Sequence, residues 1–419
     1  SEEKGMKYRT RKLSGRVLLS LKRNPVVFLN GPRQSGKTTL VRELARNEYP
    51  AEYVSFDNVT HMEAAYASPE SFLGRRSGPV IIDEVQLVPD LFRALKIAVD
   101  EARLGDKRRG NGMFLLTGSA NIMVLPKLSD SLVGRMSVRT LYPFSACEVF
   151  SAEGDFPERL FSADFADLGK GPALSEAIES ATFPEISGKP AREREEWFDG
   201  YLTTILQRDV RTVAELEKIG TLPRLLRVLA ARAGKLMNDA EIARDVGLNP
   251  VTSKSYRGIL QAMFLSFDVG PWYRNVGKRL VKSSKGYIVD TLLLCHLLDR
   301  DFEGPSARWS DFYGHAVENF VASELRKLLS FSDTRADLFH FRTADGKEVD
   351  FVLERPDGSV AGIEVKASKR VVSSDFKGME VLRNLAKDDF VCGVVLYAGE
   401  DVVPFGDRFL AVPFSALWR

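Results

Sequence analysis

The chain has 419 residues, 44% of them hydrophobic, and its 59 basic and 57 acidic side chains leave a formal net charge of +2. That length is more than one hydrophobic core serves and predicts two to four domains. Balanced charge excludes recruitment of a polyanion by a global field, so any such binding has to come from local patches. Cys147, Cys295 and Cys392 lie too far apart for a disulfide framework or a zinc spacing, and predict a reducing, cytoplasmic compartment. The charged start, Ser1-Glu2-Glu3-Lys4-Gly5, has no apolar run of the secretory kind. Apolar stretches such as Tyr287 to Leu298, broken by Asp290 and His296, are too short for a bilayer span, so no membrane segment is expected.

Lys12 to Lys22 reads as an amphipathic helix leading into the apolar run Val26-Val27-Phe28-Leu29. Gly31-Pro32-Arg33-Gln34-Ser35-Gly36-Lys37-Thr38 follows and opens a helical pattern, which gives the spelling and the context of a Walker A loop. Its glycines let successive backbone N–H groups face one phosphate, Lys37 brings a mobile positive charge, and Thr38 brings a hydroxyl for Mg2+. The helix start adds its positive dipole end, so Gly31 through Thr38, with Thr39, form the expected nucleotide cradle. Tyr53-Val54-Ser55-Phe56 reads as a strand, and Val80-Ile81-Ile82-Asp83-Glu84 as a Walker B strand. Asp83 would hold Mg2+ and Glu84 would polarise the attacking water; an apolar strand with a solvated acidic turn is the plainer alternative.

Asp90 to Arg103 reads as a helix, and the basic triplet Lys107-Arg108-Arg109 as a solvated hairpin tip rather than a polyanion contact. Met113 to Asn121 is a third apolar strand ending in small polar residues, where Ser119 or Asn121 could sense a terminal phosphate or simply cap the next helix. The strand and helix alternation persists to about Val149 and predicts a doubly wound α/β core. From Ser151 to about Lys235 helical periodicity takes over, strongest in Glu193 to Val213 and Leu222 to Lys235, as in a lid over the nucleotide or a subunit interface.

Asn238 to Met263 reads as helix, glycine turn and helix, with strands at Phe264 to Tyr273 and Arg279 to Val289 forming a basic-tipped wing. In a major groove, Lys254 and Arg257 would contact DNA, with Lys278 and Arg279 on flanking phosphates; packing against protein is the alternative. Farther on, Glu348 to Leu353 and Gly362 to Lys366 read as a hairpin presenting Asp350, Glu364 and Lys366, and Ala316 to Leu329 as a helix with Glu318 on its polar face. Glu364 and Lys366 alternate by two and face one side of a strand. The set resembles the PD-(D/E)XK nuclease signature, which implies two carboxylates holding Mg2+ and a lysine activating water. An exposed ion pair, or a degenerate site that holds DNA without cutting, is the plainer alternative.

GPRQSGKTTL at Gly31, IIDEVQ at Ile81, LTGSA at Leu116, LVGR at Leu132, LQRDVR at Leu206 and KSSKGYIVD at Lys282 together resemble the AAA+ ATPases that carry DUF4143 behind the ATPase core, the AAA_14/DUF4143 family. The resemblance spans nearly the whole chain. It implies an α/β fold in which residues 1–150 form a P-loop AAA+ parallel-sheet core and 151–235 a helical lid. Residues 236–300 would be a winged helix and 301–419 a PD-(D/E)XK nuclease-like α/β domain. It also implies a homo-oligomer, a ring by analogy, in which an arginine of one subunit reaches its neighbour's γ-phosphate; Arg135 is the first choice and Arg208 the second, against intramolecular ion pairs. The expected role is ATP turnover with Mg2+ coupled to DNA binding or remodelling, on branched or damaged DNA. The rival is a nucleotide-controlled regulatory, toxin–antitoxin or defence switch that acts on a protein partner.

Overall fold

Five segments, β1 (Val26–Asn30), β2 (Glu52–Ser55), β3 (Val80–Asp83), β4 (Phe114–Gly118) and β5 (Met136–Thr140), pair in parallel in the order β2-β3-β4-β1-β5. In this computed structural model the described residues are 8–76, 78–104, 110–120, 132, 134–213, 218–275, 283–302 and 310–419. β1, β3 and β4 are buried along their whole length, which is why they read as unbroken apolar runs. Alternate residues of β1 serve opposite faces: Val27 and Leu29 pack with helices Ser14–Arg23 and Lys37–Asn47, Val26 and Phe28 with helix Leu91–Ala102. β4 lies between β1 and β3, so its carboxyl end emerges between the Walker A and Walker B segments.

Among the described residues of 151–235 the regular elements are helical, as the periodicity predicts. Glu193 to Val213, expected as one helix, is Ala191–Thr204 continued by a π-helical turn, Ile205–Asp209, and a last turn Val210–Val213. The helix pair Asp239–Val246 and Pro250–Ala262 follows its caps: the Asn238 and Asn249 side chains accept backbone N–H groups, and Gly247, at φ 73°, ends the first helix. β6 (Ser266–Pro271) and β7 (Lys285–Ile288) then form an antiparallel pair.

The expected boundary at 300 falls within one sheet. β6 pairs in parallel with β8 (Asp337–Arg342), at Gly270 with Phe339 and Pro271 with His340. The sheet continues through β9 (Glu348–Glu354), β10 (Val360–Lys366) and β11 (Phe390–Tyr397) to β13 (Phe409–Pro413) and β12 (Val403–Pro404), in the order β12-β13-β11-β10-β9-β8-β6-β7. An uncovered hairpin edge would expose unpaired N–H and C=O groups, and β8 covers it. One apolar core runs from helix Leu222–Ala231 through helix Ser310–Phe331 to β9, β10 and β11, while the parallel sheet keeps two cores of its own. Helix Ser310–Phe331 is also pinned to the parallel-sheet region: Glu324 accepts the Ala146 N–H at 2.8 Å, and Lys327 Nζ donates to the Phe144 carbonyl at 2.9 Å and the Ala181 carbonyl at 3.1 Å. Among the described residues no helix is long and apolar enough to cross a membrane.

Candidate functional site

The Walker A loop turns where its sequence allows. Gly31 has φ 147°, and a Cβ there would stand 2.2 Å from the Leu141 carbonyl oxygen, so only glycine fits; Gly36, at φ 94°, opens helix Lys37–Asn47. Lys37 is buried, and its Nζ donates to the Gly31 and Pro32 carbonyls at 3.0 and 2.7 Å. Burial pulls its pKa down to about 8, against the opposing pull of Glu84 and Asp83. The Ser35 hydroxyl in the same loop is buried without a hydrogen-bond partner. A buried ammonium whose hydrogen-bond acceptors are two neutral carbonyls retains positive charge that an anion can meet.

Because β4 separates β1 from β3, three expected groups converge. Thr38 Oγ1 donates to Asp83 Oδ2 at 2.8 Å, which brings together the two side chains expected to hold Mg2+. Tyr53 donates to the same oxygen at 2.6 Å, and Thr117 to the other Asp83 oxygen. Glu84 adopts the left-handed conformation at φ 59°, uncommon for a side chain of its kind, and its N–H donates to Thr117 Oγ1 at 3.2 Å. Gln86 Nε2 donates to Glu84 Oε2 and, at 3.1 Å, to Ser119 Oγ; Ser119 Oγ lies 3.3 Å from the same Glu84 oxygen. Ser119 is thus linked to the expected base, while Asn121 lies outside the described residues. Gln86, Tyr53 and Thr117 had no assigned role in the sequence; polar groups set in or beside apolar strands were the signal available for them.

Beside Gly36 and Thr39 opens a cavity of about 190 Å³, lined also by Tyr8, Arg9, Arg11, Phe144, Pro184 and Ser187. Arg11 ties it to the loop. Its guanidinium donates to the Ser35 carbonyl at 2.8 Å, pairs with the buried Glu148 at 3.0 Å, and stacks 5.0 Å from the Phe144 ring centre. On the other side Arg33 pairs with Asp209 at 3.0 Å, joining the phosphate loop to the π turn of the helical region. π turns inside helices are frequent at functional sites, and this one ends on Asp209, the residue that meets the loop.

Arg135 is engaged by Asp100, Nε at 2.6 Å and Nη2 at 3.1 Å. It immediately precedes β5, whose first residue is level with Val26, so it stands at the sheet end opposite its own phosphate loop. The side chain of Arg208 lies outside the described residues. Of the expected DNA contacts, Lys254 is exposed, and Lys278 and Arg279 lie outside the described residues. Arg257 departs from expectation: Asp239 at 2.6 Å and Asp268 at 3.1 Å hold it, with 13% of its side chain exposed. Two carboxylates within reach make it a tie between the helix pair and β6 rather than a displayed contact.

Asp350, Glu364 and Glu318 do meet, on β9, β10 and helix Ser310–Phe331. The Asp350 N–H donates to Glu364 Oε2 at 3.4 Å, and Asp350 Oδ2 accepts the Val365 N–H at 2.9 Å. The lysine among them is not the expected one. Lys366 pairs with Asp375, whereas Lys285 of β7 lies 3.2 Å from Glu318 Oε1 and 3.3 Å from Asp350 Oδ1. Tyr287 donates to Glu318 Oε1 at 2.8 Å. Burial and the Asp350 charge push Glu318 up to about 7 and Glu364 well above the carboxylate range; the carboxylates around Lys285 outweigh its burial and raise its pKa. Glu318, expected on a polar helix face, instead points into this interior. Among the described residues no group of three or more His, Cys, Asp or Glu is arranged to hold a metal ion. A lysine opening an inward-facing apolar strand, Lys285-Gly286-Tyr287-Ile288, was the sequence signal for this missing partner.

Residues 23–150 match an AAA domain model (AAA_14), and 172–303 and 313–417 match two domains of unknown function, DUF8612 and DUF4143. The uncharacterized protein Rv2008c of Mycobacterium tuberculosis is 31% identical over 96% of this chain and 83% of its own length, as is the uncharacterized protein Mb2031c of Mycobacterium bovis. Among solved structures, the Walker-type ATPase paby2304 of Pyrococcus abyssi aligns with TM-score 0.39 and 15% identity, over 69% of this chain and 96% of that one. A mutant of RuvB from Thermotoga maritima aligns with TM-score 0.27 and 19% identity, over 61% and 87%.

Proposed function

The chain belongs to the AAA_14/DUF4143 family of P-loop ATPases, and from that premise we propose that it hydrolyses ATP and transmits its nucleotide state to the helical region and the C-terminal sheet. The observation that carries this reading is the convergence of Lys37, Thr38, Asp83, Glu84, Gln86 and Ser119 at the carboxyl ends of β1, β3 and β4. Loop amides and Lys37 take the β- and γ-phosphates, and the base lies in the cavity between Tyr8, Phe144 and Pro184. Thr38 and Asp83, already adjacent, suit an Mg2+ ion, which when bound supplies positive charge against the phosphates. Glu84 orients the attacking water and takes its proton, and Gln86 with Ser119 fixes the Glu84 carboxylate. Arg135 stands too far from its own loop to act there and serves the phosphate of a second copy of the chain after leaving Asp100.

Two routes support transmission. An incoming phosphate competes with Asp209 for Arg33, and Arg11 links Ser35 of the loop to Glu148, near the Ala146 N–H held by Glu324. The C-terminal sheet then serves as an interaction module rather than a nuclease, because Lys285 already pairs with its carboxylates. The exposed Lys254 on the second helix of the pair supports the other reading, in which DNA is the partner. Turnover by the purified chain tests both. ATP hydrolysis is expected, lost in Lys37→Ala; unchanged rates with linear, single-stranded and four-way DNA favour the protein-directed switch, and stimulation lost in Lys254→Ala favours DNA. Normal turnover in Lys37→Ala removes the proposal.

A further inference from the structure

The nuclease-like arrangement of Glu318, Asp350 and Glu364 implies a divalent cation, and the donors around these carboxylates test that implication. Glu318 Oε1 receives both Lys285 Nζ, at 3.2 Å, and the Tyr287 hydroxyl, at 2.8 Å. Asp350 meets Lys285 through Oδ1 at 3.3 Å and the Val365 N–H through Oδ2 at 2.9 Å. Glu364 Oε2 accepts the Asp350 N–H. The backbone closes in from another side: at Gly234, φ 77°, a Cβ would lie 3.2 Å from both Glu318 oxygens. Both Asp350 oxygens and one oxygen each of Glu318 and Glu364 therefore already face N–H and O–H donors, and with the Lys285 ammonium between Glu318 and Asp350 the residues do not fit the ion.

We infer that Lys285 is the resident cation of this cluster, an ammonium of the chain itself standing where a divalent ion would otherwise be held. Its charge is compact and carries three donors, which suits it to bridge two carboxylates from different elements. Lys285 belongs to β7, Glu318 to helix Ser310–Phe331 and Asp350 to β9, so one side chain joins the hairpin to the C-terminal sheet at a point where only 3% of the lysine is exposed. The cluster is thus a structural joint closed to magnesium, and the C-terminal sheet does not cut phosphodiesters while β7 is docked. This assignment is independent of ATP turnover at the phosphate loop.

Mn2+ is the probe, titrated into the nucleotide-free full-length chain and followed by electron paramagnetic resonance. In the wild-type chain, binding is expected to be unaltered by Glu318→Gln or Glu364→Gln. Lys285→Met is expected to gain one further Mn2+ equivalent at least tenfold tighter than any wild-type binding, and adding Glu364→Gln removes it. A wild-type Mn2+ site that disappears in Glu318→Gln or Glu364→Gln overturns the inference, because metal and Lys285 then coexist. A folded Lys285→Met chain that gains no site overturns it too. The wild-type comparison decides the matter even where Lys285→Met does not fold.

Discussion

Two buried lysines face opposite electrical surroundings. Lys37 is 5% exposed and held by two main-chain carbonyls; Lys285 is 3% exposed and held by two carboxylates. The first keeps most of its charge uncompensated by hydrogen-bonding partners, so burial lowers its pKa and an incoming anion gains from meeting it. The second is neutralised within the fold, which raises its pKa and leaves little for a ligand. Residue type and burial are shared, yet one ammonium meets carbonyls and the other meets carboxylates. What separates them is whether the acceptors carry charge.

The comparison is tested most severely at the carboxylate meant to act beside Lys37. Glu84→Gln should bind ATP within about threefold of wild type while turnover falls by about 10²–10⁴-fold, the usual contribution of a positioned base; a steady-state rate near wild type refutes the role. Lys285→Met should leave ATP affinity unchanged but cost about 3–5 kcal/mol of stability at neutral pH, because it strands buried carboxylates. Denaturant unfolding checks this, and a midpoint equal to wild type would mean the cluster is not a joint. Adding Glu318→Gln should recover part of the loss.

A smaller effect follows from pH. Lys37 loses its proton as pH rises through about 8, so ATP affinity should weaken above that point, by up to about tenfold per unit. Its stability term runs the other way: the unfolded lysine binds more protons between about 8 and its ordinary 10.5, so this group's contribution grows with pH over that window. Calorimetric titration from pH 7 to 9.5 that shows flat affinity removes Lys37 as the anion-binding charge. The smallest shift is expected at Asp209→Asn. Arg33 is partly solvated, so the pair is worth about 0.5–1 kcal/mol and ATP should bind two- to fivefold tighter once Arg33 is released. Hydrogen exchange across Ala191–Asp209 should then lose its response to ATP.

Legibility differed between the same two regions. The phosphate loop was readable because its chemistry is local: eight consecutive residues supply the turn, the amides, the lysine and the hydroxyl, and the flanking strand and helix fix their orientation. Asp83 and Glu84 were readable for the same reason, as the end of one apolar strand. Gln86, Arg11 and the Arg33–Asp209 pair were not, since their meaning depends on partners between 24 and 176 positions away, or on β4 lying between β1 and β3. In the C-terminal region the three carboxylates were named from the resemblance to a nuclease signature; alternation related only Glu364 to Lys366, and Glu318 was expected on a polar helix face. Lys366, the lysine named for the set, does not meet the carboxylates, because the spacing of Glu364 and Lys366 fixes a shared face but not a partner, and Asp375 captures Lys366. Arg257 failed likewise: a helix position tells which way a side chain leaves, not that Asp239 and Asp268 await it.

By itself the sequence determined the parallel P-loop core and the helical stretch after it, because each rests on spacing within one strand, turn or helix, and its motifs together carried the resemblance to the family. Only the tertiary structure decided that the β6–β7 hairpin and the C-terminal strands form one sheet, and that Lys285 rather than Lys366 meets the buried carboxylates. Charges buried together must be matched wherever the fold brings them, and sequence distance carries no record of that meeting.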